Sequence, residues 1–196
     1  IRNAEVFHFG SVSMTTEPAR SATIAAASRA KEFGLAVSFD PNLREPLWND
    51  LNEARALITE SLELADLVKV SEEELIFLTG HDDIEKGAVE IAGRFGMKLL
   101  AVTLGPKGCI CCVNGRIICE PAFNVKTIDT TGAGDSFWGA LLYQLISNKK
   151  DITEYRDDEI HELLRFSNAA GSLTTTEKGA INAMPDRQKI LSLLNK

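Results

Sequence analysis

The run Asp129-Thr130-Thr131-Gly132-Ala133-Gly134-Asp135 sets two glycines and a carboxylate directly before Ser136 to Leu145, an Ala-, Leu- and Phe-rich stretch that reads as a helix. Glycines at a helix start let backbone N–H groups crowd together and point at one spot. The helix dipole adds partial positive charge there, so an anion, above all a phosphate, is favoured. A carboxylate that close to an anion site must be offset by a metal or used in the reaction. The role that suits Asp135 is general base: it accepts a hydroxyl proton while the amides of the helix start hold a donor phosphoryl group. A short glycine motif also recurs by accident, and Asp is common in a first helical turn for the dipole alone. The surrounding elements weigh between these two.

Strand-like and helix-like segments alternate along the chain. Val6 to Phe9 reads as a strand ending at Gly10-Ser11, and Glu17 to Phe33 as an Ala-rich helix with Pro18 tolerated in its first turn. Leu35 to Phe39 is a strand that delivers Asp40-Pro41-Asn42, followed by a helix from Asn52 to Leu64 and a strand from Leu67 to Val70. Ser71 and Glu74 have the spacing of a capping box for a short helix through Leu78, which Gly80 closes. Ile84 to Phe95 is helical and Leu99 to Thr103 a buried strand. Cys109 to Val113 and Arg116 to Cys119 form a hairpin on the turn pair Asn114-Gly115. Beyond the motif helix come an acidic segment (Asp151 to Glu162), a helix to about Thr174, a glycine loop and a terminal helix. The alternation predicts an α/β fold, a mostly parallel sheet with helices on both faces, read as one domain over residues 1–196. Ligands bind beyond the carboxyl ends of strands in such sheets. Asp40 to Arg44, Ser71 to Glu74 and Thr103 to Gly108 all fall at such ends, which favours the phosphate reading.

A chain of 196 residues can bury a sizeable α/β core, and 44% hydrophobic with 25% charged residues is ordinary for a globular protein. The net charge of −7 argues against nucleic acid as a partner. It leaves phosphate ligands open, because a helix start binds anions locally. No apolar run approaches the ~18 residues of a membrane span, and no basic-then-apolar signal segment opens the chain. The reading is therefore no membrane and a cytoplasmic setting. The start at Ile1-Arg2-Asn3, without Met and with strand-like residues already at Glu5 to Phe9, suggests a piece of something longer. Cys109, Cys111, Cys112 and Cys119 lack the CxxC spacing of a zinc site and read as small buried hydrophobes in a reducing compartment. His8, His81 and His161 are scattered and read as core or surface residues, Trp48 and Trp138 as packing.

In this order the motifs resemble the PfkB, or ribokinase-like, family of carbohydrate kinases, with fructokinases the most similar in wording. Asp129 to Leu141 carries the family's C-terminal signature; Phe7 to Ser11, Phe39 to Trp48 and Lys69 to Glu74 look like fructokinase segments. The resemblance runs from Val6 to Leu194. It implies a ribokinase-like fold lacking its N-terminal part, which would hold sugar-contacting residues, further strands and a lid that mediates homodimers. The implied reaction is phosphorylation of a sugar hydroxyl by ATP, foremost D-fructose to fructose 6-phosphate, with 2-keto-3-deoxygluconate the nearest rival. A non-catalytic nucleotide-binding fragment stays open. The resemblance makes Asp135 the base and Gly132, Ala133 and Gly134 an anion hole. Thr103, Gly105 and Gly108 match the turn that approaches nucleotide phosphates, and Asn168 with Gly171 the nucleotide pocket. Asp129, Thr131, Thr174, Glu177, Gly179 and Ala183 match oxygen donors to a potassium ion, and Glu74 a carboxylate that organises Mg2+ through water. Ser71 stands where the family usually has Asn and fructokinases commonly show Ser, and the resemblance makes it a contact to the nucleotide phosphates. Arg44 would clamp the donor phosphate or the sugar, although a surface ion pair is the plain alternative. Lys107 lacks a P-loop context and reads as solvated.

Overall fold

The computed structural model describes residues 1–195. Its strands are β1 (Val6–Gly10), β2 (Ala36–Asp40), β3 (Leu67–Ser71), β4 (Leu99–Thr103), β5 (Cys109–Val113) and β6 (Arg116–Glu120). Its helices are α1 (Ala19–Glu32), α2 (Leu51–Leu62), α3 (Glu72–Thr79), α4 (Ile84–Phe95), α5 (Ala133–Asn148), α6 (Asp157–Thr174) and α7 (Arg187–Leu194). The strands hydrogen-bond in sequence order as a six-stranded sheet. β1 pairs with β2 and β2 with β3 in parallel, Gly10 lying opposite Asp40. The β5–β6 connection is the two-residue turn Asn114-Gly115, whose φ values of 52° and 73° are what a hairpin turn matching the strand twist requires. The α/β class is as the alternation of patterns predicts.

Contacts within the chain group into two compact units, and the division runs through β4 to β6. The first holds Ile1–Val102 with Cys112–Ile117. Its core gathers Val37, Phe39, Val68, Leu99 and Leu100, all buried, and the Phe9 and Phe39 rings stack at 4.5 Å. The second holds Thr103–Cys111 and the chain from Ile118 onward. There α5 lies along α6, and α6 packs on α7 through Ala169, Ala170 and Ile190.

Three readings of the sequence need correction. α1 begins at Ala19 rather than Glu17, since Pro18 holds a non-helical cap position and the residue before a proline is disfavoured from helical geometry. The second half of the acidic segment is not a separate piece: Asp157, Asp158 and Glu159 are the first turn of α6, where negative charge offsets the helix dipole. Cys109, Cys111 and Cys112 are buried, but Cys119 is exposed, because strand alternation turns it outward on β6. Burial drives the Cys109 thiol up to about 12, which makes it inert.

One charged pair sits inside the first unit. Lys69 interrupts β3 between Val68 and Val70, and its Nζ donates to Asp40 Oδ2 at 2.7 Å, the side chains being 8% and 5% exposed. The other Asp40 oxygen accepts the N–H of Asn42 at 3.1 Å, and Asn42 has φ of 45°. The pair thus ties two strand ends together and fixes the left-handed turn that leads to Arg44. Removing one charge strands the other in a dry interior. Lys69→Met is expected to cost about 3–5 kcal/mol, while Lys69→Met with Asp40→Leu costs clearly less because no buried charge remains. Urea denaturation checks this; a double variant no more stable than the single one rules it out.

Candidate active site

α5 opens on Gly132, which has φ of 79° and a left-handed conformation that only glycine adopts without strain. A side chain there would meet Ala180, its Cβ lying 2.9 Å and its Cα 3.1 Å from the added atom. The glycine is needed for packing as much as for conformation. Of the first amides, that of Ala133 turns back to Thr130 O at 3.2 Å and that of Ser136 closes the first helical bond on Gly132 O at 2.9 Å. Helix geometry offers the amides of Gly134 and Asp135 no carbonyl. They and the dipole of a 16-residue helix make the anion-attracting point. Asp135 is exposed in this first turn, beside those amides. The pairing of helix start and carboxylate is thus present, with Gly134 and Asp135 better placed as donors than Ala133.

The loop before α5 is held from across the second unit by one carboxylate. Asp129 Oδ1 accepts the N–H of Thr131 at 2.9 Å and its hydroxyl at 2.7 Å, and Oδ2 accepts the N–H of Gly179 at 2.9 Å. The N–H groups of Ile128 and Asp129 both donate to Thr175 O, at 2.7 and 3.2 Å. The Gly179 amide first, then both Thr131 donors and the nearby Lys178 charge, lower the Asp129 carboxyl from 3.8 to about 2. Among the residues matched to a potassium site, Asp129, Thr131 and Gly179 are therefore joined directly. Thr174 is buried at the end of α6, where its hydroxyl donates to Ala170 O at 2.9 Å. Glu177 is exposed and pairs with Lys189 at 3.7 Å; Ala183 is buried. Both Asp129 oxygens already accept from N–H and O–H groups, so backbone carbonyls of these residues would be the oxygens offered to a monovalent cation. A cavity of about 420 Å³ between α6 and α7 is lined by Glu177 and Ala183 together with Leu173, Asp186, Lys189 and Leu193, but by none of residues 132–135.

The remaining residues that the resemblance matches to nucleotide contact divide. Thr103 ends β4, and Gly105 is exposed with φ of 56° and open space around it, so a phosphate can approach its backbone. Gly108 is instead buried with φ of 104°, its backbone pressed so closely on Glu120, Pro121 and Ala122 that no Cβ fits. Asn168 is buried, and its Nδ2 donates to the carbonyls of Glu120 and Pro121 at 2.9 and 3.1 Å, tying α6 to the segment after β6. Gly171 lets α6 approach α5, an added Cβ lying 3.1 Å from Ala133 O. Gly108, Asn168 and Gly171 thus have packing roles that account for their types without a ligand.

In the first unit, Ser71 and Glu74 form the capping box their spacing predicts. Ser71 Oγ accepts the Glu74 N–H at 3.1 Å, and Glu74 Oε2 accepts the Ser71 N–H at 2.8 Å. Glu74 Oε1 also takes the N–H of Leu43 at 2.6 Å. Each oxygen keeps a lone pair for water, so a water-mediated magnesium role fits. Arg44 is exposed in the loop after β2. His8 faces Ser38, His81 faces Glu90 and His161 faces Glu120, at 2.9, 2.7 and 2.8 Å. Sequence reading missed Lys69, Asp40 and Ala180 as partners. A lysine inside an apolar strand was the available signal for the first two; Ala180 left none.

A family model described as pfkB family carbohydrate kinase matches residues 1–187. The chain belongs to the pfkB family of carbohydrate kinases. It is 46% identical over 197 residues to fructokinase-1 of Zea mays, covering all of this chain and 60% of that protein. It is 45% identical over 195 residues to putative fructokinase-8 of Arabidopsis thaliana, of which it covers 92%. Among solved structures, a fructokinase double mutant from Vibrio cholerae O395 with fructose, ADP and potassium ion bound is 40% identical, with a TM-score of 0.90 over 99% of this chain and 61% of that one. The chain thus spans about 60% of the maize and Vibrio cholerae proteins.

Because the Asp129 carboxyl is depressed, its hydrogen bonds are at full strength above pH 3.8 and are lost as pH falls through about 2. Carbon-detected NMR should find an Asp129 midpoint near 2, with the amide protons of Gly179 and Thr131 moving at the same midpoint. A midpoint near 3.8 with unmoved amides would mean that the bonds do not form in solution.

Proposed function

We propose that the whole protein transfers the γ-phosphoryl group of ATP to a sugar hydroxyl, with the 6-hydroxyl of D-fructose the preferred acceptor. The observation that carries this is the left-handed Gly132 opening α5 with Asp135 exposed beside the unpaired amides. The Asp135 carboxylate takes the hydroxyl proton as the sugar oxygen attacks the γ-phosphorus. The new O–P bond forms while the bond to the departing ADP oxygen breaks, with charge on the transferred group held by the amides of Gly134 and Asp135. Arg44 clamps phosphate or sugar, and the backbone at Gly105 approaches the nucleotide. Glu74 would hold magnesium through water, and Asp129, Thr131, Thr174, Glu177, Gly179 and Ala183 a potassium ion; the two ions would neutralise phosphate charge and order the loop. Fructokinase relatives and a neighbour whose structure contains fructose, ADP and potassium support this reading. We further propose a cytoplasmic homodimer; among the described residues no helix is long and apolar enough to cross a membrane.

Full-length protein assayed with ATP against fructose, ribose, 2-keto-3-deoxygluconate and adenosine should prefer fructose. Preference for another acceptor removes the substrate but keeps the reaction class. Because the chain spans 60% of the maize relative, the 196-residue chain alone is expected to bind nucleotide weakly and turn over little. Asp135→Asn in the full-length protein should lower kcat by roughly 10²–10⁴-fold with nucleotide affinity little changed. A variant with near-normal kcat would reduce Asp135 to a helix-start residue. Replacing sodium by potassium at constant ionic strength should raise kcat; equal rates in both remove the cation site from the proposal.

A further inference from the structure

Two peptide segments, 50 residues apart in sequence, meet at the Asp129 carboxylate. On one side, Oδ1 closes the turn that starts α5 by accepting both donors of Thr131, at 2.9 and 2.7 Å. On the other, Oδ2 accepts the N–H of Gly179 at 2.9 Å, and Gly179 has φ of 90°. The residue after Gly179 is Ala180, which lies against Gly132 so closely that even a methyl group on the glycine would overlap it. Hydrogen bonds to a charged acceptor are about twice as strong as neutral ones, so this junction is stiff. We infer that Asp129 is the positioning residue of the anion hole: its carboxylate staples residues 175–180 to the α5 loop, Ala180 bears on Gly132, and the direction of the Gly134 and Asp135 amides is set by that contact.

This rests on the proposal that those amides hold the phosphoryl group, and it goes further in giving the loop an internal brace made by the chain's own side chain. Cation donation through backbone carbonyls is compatible with it, because the carboxylate is spent on protein donors. Asn at this position keeps one acceptor for Thr131 but turns an NH2 group toward the N–H of Gly179, so two donors face each other. Replacing a merely stabilising aspartate would lower the unfolding midpoint and leave the ligand response alone; replacing a positioning one alters that response.

The experiment is an amide nitrogen–proton NMR titration of the 196-residue chain with a non-hydrolysable ATP analogue, which carries the γ-phosphoryl group that ADP lacks, done on the unsubstituted chain, on Asp129→Asn and on the milder Thr131→Val. The expected result is that the analogue moves the amides of Gly134 and Asp135 in the unsubstituted chain. Asp129→Asn shifts the same amides before ligand is added and weakens analogue binding by roughly tenfold or more, since small misplacement of such donors is costly. Thr131→Val moves them the same way by less. Resonances around Phe9 and Phe39 stay where they were. If Asp129→Asn is folded and both the free shifts and the analogue affinity are unchanged, the positioning role is overturned while the anion hole stands. If the analogue leaves Gly134 and Asp135 unmoved in the unsubstituted chain, the anion-hole reading itself falls. If Asp129→Asn does not fold, Thr131→Val decides: unmoved amides overturn the inference.

Discussion

The close approach of Gly132 to Ala180 is the constraint around which the second unit is arranged. A backbone can pass that near another only where a side chain is absent, and it can begin α5 in that direction only with a positive φ. Gly132 meets both demands, Gly171 gives α6 the same licence against Ala133, and Gly108 does so against the segment after β6. The glycines proposed for phosphate and nucleotide contact are therefore joints of the packing. A proposed loss of phosphate binding and a loss of the fold are hard to separate at these positions, which is why substitutions at Asp129 and Asp135 are the informative ones.

In the first unit the equivalent work falls to carboxylates. Asp40 and Glu74 each accept a backbone N–H from the loop after β2, from Asn42 and Leu43 respectively, while also serving Lys69 and the N-terminus of α3. A loop held at two adjacent amides by two different elements has little freedom. Exposed Arg44 follows directly from it, so a long guanidinium side chain is presented from a fixed base.

Much of the fold was legible because its signals are local. Alternating apolar strands, the Ser71–Glu74 spacing and Asn114-Gly115 each specify their element within a few residues, and the helix-start motif did the same for α5. What stayed hidden depends on partners distant in sequence. Nothing near Asp129 announces Gly179, and nothing near Gly108 announces the backbone of Glu120 that explains it. The resemblance supplied ligand roles for Asn168 and Gly171, whereas their geometry also satisfies purely internal demands. The start of α1 was misjudged because a proline tolerated inside a first turn also restrains the residue before it. Cys119 was misjudged because a hydrophobic reading was extended across a strand whose pleat reverses each side chain.

That reversal gives the chain a chemical asymmetry among its thiols. Three of the four cysteines are buried, and one of them, Cys109, is held protonated far above neutral pH, while Cys119 faces solvent on β6. An alkylating dye applied to the folded protein would meet a single accessible sulfur, and a denaturant would uncover the rest. The molecule therefore carries its own attachment point for a fluorophore or spin label, at a strand whose neighbouring residues anchor Gly108 and Asn168. Ordering of that region could be followed without adding or removing a cysteine.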